Sequence, residues 1–290
     1  EAAQTVHEAP VTSVSAGAFR SRSAGGDVDL VREGTTFWTS NWYQLLDGAK
    51  YPLALPATAA VNGVFQGRLI VSLKEDWERD GTVYPQGAVL VADTSALRGQ
   101  AGQIDVMVQP EASRVVESVT TTDDSVLVTV LDNVRGKMIR FSPGPEGGWR
   151  EEKIAFPDDG ALSVMSTDDE TGNFFARFES FTTPPTLFYV AGDETLPQEV
   201  KSQAPTFDGG AYVTNQFFAT SLDGTQVPYF VVMAKETPMD SKNPTHIFSY
   251  GGFRNALTPS YSGSYEALYG AYGKLWLDRG GVFVLAYIRG

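Results

Sequence analysis

The sequence predicts a mainly β chain: a partial β-propeller of about four blades, followed after residue 205 by the first strands and helix of an α/β sheet. Three observations carry this. One strand–loop–strand layout occurs three times, its second strands recur every 49 residues, and the residue pattern changes beyond residue 205.

The three copies are "RLIVSLKEDWERDGTVYPQGAVLVADT", "SVLVTVLDNVRGKMIRFSP" and "NFFARFESFTTPPTLFYVAG". Val89, Met138 and Leu187 hold the same place in the second strands, 49 and 49 residues apart. The first strands start near Leu69, Val126 and Phe174, and the longer first interval comes from the loop between Lys74 and Gln86. A further short apolar run precedes each copy ("AAVNGVF", "RVVESVT", "ALSVMST"), so each unit offers several short strands. A period near 50 built this way is a propeller signature, because one four-stranded blade buries its faces only against neighbouring blades. An evenly spaced β-sandwich is the other architecture compatible with the pattern. "TTFWTSNWYQLLDG" reads as part of another blade. Residues 1–205 then supply about four blades, either a closed ring of four or a piece of a larger one.

Beyond residue 205, Asp223-Gly224 marks a hairpin between two alternating strands. "PTHIFSYGG" reads as a short strand buried on both faces, and "SYEALYGAYGKLWLDRG" as a helix ended by Gly280-Gly281. "VFVLAYI" has the continuous apolar run of a central parallel strand. The two predicted domains are residues 1–205 and residues 206–290. An unpaired edge left by "VFVLAYIRG" would seek a partner, which leads us to expect more chain after Gly290.

Composition excludes several classes. A net charge of −13 argues against nucleic acid or an anionic membrane as partner. No run reaches the length of a membrane-spanning helix, and "EAAQTVHEAP" lacks the basic, apolar pattern of a signal peptide; we expect a soluble chain, cytoplasmic or periplasmic. With no cysteine, thiolate nucleophiles and disulfides are absent; with only His7 and His246, a polyhistidine metal site is nearly excluded. Asp123-Asp124, Asp158-Asp159 and Asp168-Asp169 sit in turn-like segments and read as solvated caps. Glu75-Asp76-Trp77 falls in the long inter-strand loop.

Several stretches resemble the prolyl oligopeptidases, serine peptidases that set a β-propeller over an α/β-hydrolase domain. They are "LIVSLKEDW", "TVYPQGAVL", "TVLDNVRGKM", "FARFESFTTPPTLFYV", "SLDGTQVPYFVV", "SYGGFRNALTPSYS" and "RGGVFVLAYIRG", in the family's order over about four fifths of the chain. The resemblance implies that residues 206–290 open the hydrolase domain and that the full protein cleaves short peptides after proline.

 In family terms the substrate bond is the one following proline, and the remainder of the same polypeptide is the partner that completes the site. No metal or organic cofactor is implied. Tyr250 matches the tyrosine whose phenol donates to the oxyanion, Gly251 and Gly252 match the glycines that turn the backbone beside the site, and Phe253 matches an aromatic lining the proline pocket. The family's serine, aspartate and histidine fall beyond Gly290, and no G-x-S-x-G occurs here, so we expect this chain alone to be inactive. His246, inside a strand, reads as a strand residue rather than the catalytic base. The chain departs from the family at Tyr287, where the family carries asparagine. A related acyl-peptide or ester hydrolase, and a non-enzymatic propeller binding module, remain alternatives on sequence alone.

Overall fold

The computed structural model describes residues 5–111, 113–145, 147–168, 170–251, 257–264 and 273–287. Strands β1 (Ser15–Ser21), β2 (Val28–Gly34), β3 (Ser40–Leu46) and β4 (Ala49–Pro52) form a first antiparallel sheet in chain order. The second sheet uses β5 (Ala60–Phe65) and β6 (Arg68–Ser72), then a separate hairpin of β7 (Trp77–Arg79) and β8 (Thr82–Tyr84) intervenes. It is completed by β9 (Val89–Ala92) and, after the single-turn helix α1 (Thr94–Leu97), by β10 (Ile104–Val108), in the order β10-β9-β6-β5. The third sheet is β11 (Arg114–Thr121), β12 (Val126–Asp132), β13 (Arg135–Pro143) and β14 (Trp149–Ile154); the fourth is β15 (Ala161–Thr167), β16 (Phe174–Glu179), β17 (Thr186–Val190) and β18 (Gln198–Ser202).

These four-stranded sheets account for the repeat. Val89, Met138 and Leu187 lie in β9, β13 and β17, the third strand of each sheet, and the preceding apolar runs are the first strands β5, β11 and β15. The interval that breaks the period is the β7–β8 hairpin, so the segment read as a loop is itself a two-stranded ribbon. Its Trp77 and Tyr84 rings lie 5.4 Å apart, with the Arg79 guanidinium 5.6 Å above the indole. "TTFWTSNWYQLLDG" supplies β3 and the turn before it, as expected of another blade.

The strands are joined by tight turns whose chemistry the sequence supplies. Asp47-Gly48, Gln66-Gly67 and Asp80-Gly81 each hold two consecutive residues at positive φ, between 49° and 77°. That is the two-residue hairpin geometry whose twist matches the flanking strands. At Asn133-Val134 the same geometry places a β-branched residue at φ 61°, where its Cβ is crowded.

Chain contacts divide the molecule into two compact units: Glu1–Val128 with Ile139–Glu152 and Thr167–Gly172, and Thr129–Met138 with Lys153–Ser166 and Asn173–Gly290. In the first unit, Leu30, Trp42, Val64, Leu69, Val71 and Leu90 belong to one buried apolar cluster drawn from the first and second sheets. The two sheets meet closely at Gly25: a Cβ there would lie 2.2 Å from the carbonyl carbon of Gln66. Ser23 ties the same junction, its Oγ accepting from Gly67 N at 2.9 Å and donating to Gly26 O at 2.9 Å.

The second unit contains a fifth sheet of different character, built from β19 (Tyr212–Thr220), β20 (Gln226–Ala234), β21 (Thr245–Ser249) and β22 (Val282–Ala286), in the order β19-β20-β22-β21. A turn over Ser221–Thr225 closes the β19–β20 hairpin, with Asp223 Oδ1 accepting from Thr225 N at 3.1 Å. Strands β20 and β22 are antiparallel, whereas β21 and β22 are parallel. Both faces of the central strands are buried. Phe230, Val232, Phe283 and Leu285 join one apolar cluster, and Val231, Met233, Val282 and Val284 join the other. This explains the continuous run "VFVLA", since alternation is needed only when one face meets water.

Two expectations need correction here. "PTHIFSYGG" does not form a doubly buried strand: β21 is mostly exposed, with Ile247 65% and Phe248 41% accessible. It lies at the edge of the sheet, so one side and much of its surface lack a covering element among the described residues. Strand β22, in turn, is not the unpaired edge; it inserts between β20 and β21 and is hydrogen-bonded on both sides. Within the predicted helix, the single turn α2 (Lys274–Leu277) is described, and residues 265–272 lie outside the described residues. It ends as the sequence indicates, with Gly280 at φ +78° and Gly281 N donating to Trp276 O at 3.1 Å.

Candidate active site

Strand β21 runs parallel to β22 in the register Thr245↔Val282 through Ser249↔Ala286. Tyr250 and Tyr287 are therefore the first residues past the carboxyl ends of two neighbouring parallel strands. In open α/β sheets this is the end at which ligands bind, because the chain leaves the sheet there and its loops form a crevice. The two tyrosines have different surroundings. Tyr250 is 43% exposed, whereas Tyr287 is buried, its ring edge-on to Phe230 at 5.8 Å and its backbone N donating to Pro228 O at 3.2 Å. An asparagine at position 287 could not fill this apolar space. Tyr287 serves as a core residue of the sheet end. Gly251 is half-buried, and Gly252 and Phe253 lie outside the described residues.

Residues 257–264 return close to the same strands. Leu257 packs against the cluster of Phe181, Phe230 and Phe283. Tyr261 is wholly buried: its ring stacks on Phe207 at 5.4 Å, its OH accepts from Thr206 N at 2.9 Å, and its own N donates to Glu179 Oε2 at 3.1 Å. Ser262 N donates to Phe181 O at 3.0 Å, and Ser262 O accepts from Lys274 N at 2.7 Å. The "PSYS" stretch is thus fixed by the end of β16 and the loop after it. Sequence reasoning gave Tyr261 no role; an aromatic flanked by serines in a Pro-containing loop was the available signal. Phe181, Phe248, Leu257, Phe283 and Leu285 line a cavity of about 110 Å³ together with the hydroxyl side chains of Thr258, Ser260 and Ser262.

His246 sits within β21, paired with Phe283 in register, its ring 6.0 Å from the Phe283 ring and 6.5 Å from that of Trp276. This is the strand position expected of it. Near α2, the Tyr212 OH donates to Asp278 Oδ1 at 2.8 Å, and Lys274 pairs with the same carboxylate. Burial, with help from Asp278, pushes the Tyr212 phenol up to about 12, and the Lys274 ammonium holds Asp278 below the usual carboxylate range. Acidic side chains in the turns cap local structure. Asp168 Oδ1 accepts from Glu170 N at 2.8 Å, which lowers its pKa, Asp124 accepts from Thr122 Oγ1 at 3.0 Å, and Asp158 lies 3.6 Å from Arg135. Asp169 lies outside the described residues. Glu75 accepts from Thr58 Oγ1 and Asp76 from Gln86 N, both at 2.7 Å, so the acidic pair braces the β7–β8 ribbon. Among the described residues no cluster of three or more histidines and carboxylates is arranged to hold a metal, and no helix is long and apolar enough to cross a membrane.

Residues 32–203 match the family model described as the prolyl oligopeptidase N-terminal beta-propeller domain. The chain belongs to the prolyl oligopeptidase family. Among relatives of this peptidase family, it is 37% identical over 247 residues to the uncharacterized peptidase y4nA of Sinorhizobium fredii, covering 84% of this chain and 33% of that protein. It is 30% identical over 138 residues to a prolyl endopeptidase of Elizabethkingia miricola, covering 48% of this chain and 18% of the relative. A solved post-proline cleaving enzyme from Rickettsia typhi superposes with a TM-score of 0.82 at 24% identity, over 98% of this chain and 41% of that one, which establishes the common fold. The chain therefore spans about one third of the length of y4nA.

Proposed function

We propose that the full-length protein is a serine peptidase that cleaves short peptides after proline, with residues 206–290 opening its catalytic domain. The observation that carries this reading is the exposed Tyr250 at the carboxyl end of the parallel β21–β22 pair, two residues after Phe248, which lines the recess. The names of two similar proteins, a prolyl endopeptidase and a post-proline cleaving enzyme, support the proline preference.

Attack of a serine on the scissile carbonyl develops negative charge on its oxygen, and an O–H donor already in place stabilises that charge without reorganising. Tyr250 is the donor in this reading. By the family resemblance, Gly251 and Gly252 are assigned to the turn beside the reacting group and Phe253 to the pocket for the proline ring. The serine, histidine and aspartate come from the remainder of the polypeptide.

The test is Tyr250→Phe in the full-length protein, which removes the O–H and keeps the ring. Loss of one oxyanion donor predicts a fall in kcat of about 100-fold with KM changed little. An unchanged kcat overturns the assignment. Comparison of proline-linked, basic and acyl-amino chromogenic substrates checks specificity, and the largest kcat/KM is expected for proline.

A further inference from the structure

A polar cavity of about 580 Å³ opens in the first unit, lined mainly by residues of β1, β5 and β11. Its lining includes Arg20 at the end of β1 and Arg22 just beyond it, Asn62 of β5, Thr120 and Thr121 of β11, and Thr167 of β15. The strands are close: a Cβ on Gly63 would stand 3.3 Å from the Thr121 hydroxyl. Among the described residues no carboxylate lines the cavity, in a chain whose net charge is −13.

The two arginines differ in what they already hold. Arg20 is engaged by Asp29, through Nε–Oδ1 at 2.7 Å and Nη2–Oδ2 at 2.8 Å, with Asp27 at 4.0 Å. Its charge is balanced and its side chain fixed as a wall. Arg22 makes no hydrogen bond or ion pair with any described residue. Along β11, the carboxylate of Glu117 lies four residues before Thr121 and does not line the cavity. Asn62 commits its amide nitrogen to Ser72 Oγ at 2.7 Å. The cavity thus carries one uncompensated guanidinium and three threonine hydroxyls able to donate. A guanidinium fork matches a planar two-oxygen anion, and hydroxyls can complete that anion's remaining acceptor sites.

We propose that this cavity binds a single carboxylate, held bidentately by Arg22 with hydroxyl donors from Thr120, Thr121 and Thr167, and that the carboxylate is the C-terminus of a short peptide. One unbalanced positive charge suits a monoanion better than a doubly charged phosphate. The choice of a peptide as the source rests on the peptidase reading; the carboxylate site itself does not.

The experiment is calorimetric titration of the full-length protein with N-acetyl-triglycine, its C-terminal amide, acetate and inorganic phosphate, none of which contains a proline-linked bond. The acid is expected to bind about tenfold more tightly than the amide, the scale of one charge-assisted bidentate contact. In Arg22→Ala that preference should vanish, with the thermal unfolding midpoint unchanged because Arg22 is exposed. Equal binding of acid and amide, or a preference that survives Arg22→Ala, overturns the site. Tighter binding of phosphate than of the acid overturns the carboxylate assignment, and acetate binding as tightly as the acid overturns the peptide as its source. Failure of the peptidase reading would show separately, as absent turnover of proline-linked substrates.

Discussion

At the scale of single residues, neighbouring positions in one motif have divergent tasks. Tyr250 and Tyr261 both belong to "SYGGFRNALTPSYS", yet one is exposed and the other wholly buried and hydrogen-bonded. Composition could not separate them, because a tyrosine beside a glycine and a tyrosine between serines look equally loop-like. What separates them is contact with β16 and the residues after it, more than 70 positions earlier in the chain. Tyr212 offers a sharper test. Its phenol is raised to about 12 while protonated and donating to Asp278, whose carboxyl is lowered. The Tyr212 contribution is therefore complete below the ordinary phenol range and is lost as pH rises towards 12. The Asp278 contribution is complete above the ordinary carboxylate range and is lost as pH falls through its lowered value. Tyr212→Phe should unfold at a lower urea midpoint than the parent at pH 7 and converge with it at the alkaline end. Parallel midpoint-versus-pH curves for the two proteins would remove the Tyr212–Asp278 bond from the account.

At the scale of elements, the blades were legible because their signal is local. In the three repeated units the first, second and third strands are short apolar runs, and a hairpin turn carries a Gly at a fixed place, as at Gly48, Gly67 and Gly81. The Asn133-Val134 turn was not, since valine at φ 61° gives no turn signal. Nor was the exposure of β21: "HIFS" is apolar enough for a core strand, and its place at the sheet edge depends on β22 inserting from some 35 residues away. Contacts between sheets are equally invisible in sequence, and Gly25 tests one. Gly25→Ala would drive a Cβ into the Gln66 backbone, whereas Gly17→Ala in β1 meets nothing within 4 Å. The first substitution should cost about 1–3 kcal/mol of overpacking, and the second should shift the urea midpoint little. Equal midpoints for the two variants would show that the β5–β6 turn yields freely.

At the scale of the whole molecule, the sheets follow two designs. Four sheets repeat one antiparallel design, and the fifth adds the parallel pair on which a hydrolase site is expected to be built. In the proposed mechanism this chain contributes one electrostatic element, Tyr250, and the nucleophile with its base is supplied by the rest of the polypeptide. An oxyanion donor without an attacking group has no developing charge to stabilise, so its contribution cannot be expressed alone. The 290-residue chain is therefore expected to give no turnover of a proline-linked chromogenic peptide above buffer, while the full-length protein at equal concentration hydrolyses it. Adding the separately purified remainder should restore hydrolysis where the two parts reassemble, and carrying Tyr250→Phe on the first part should reduce the restored rate by about 100-fold. Turnover by the 290-residue chain alone would mean that a nucleophile lies within it, and Tyr250 would then have to be reassigned.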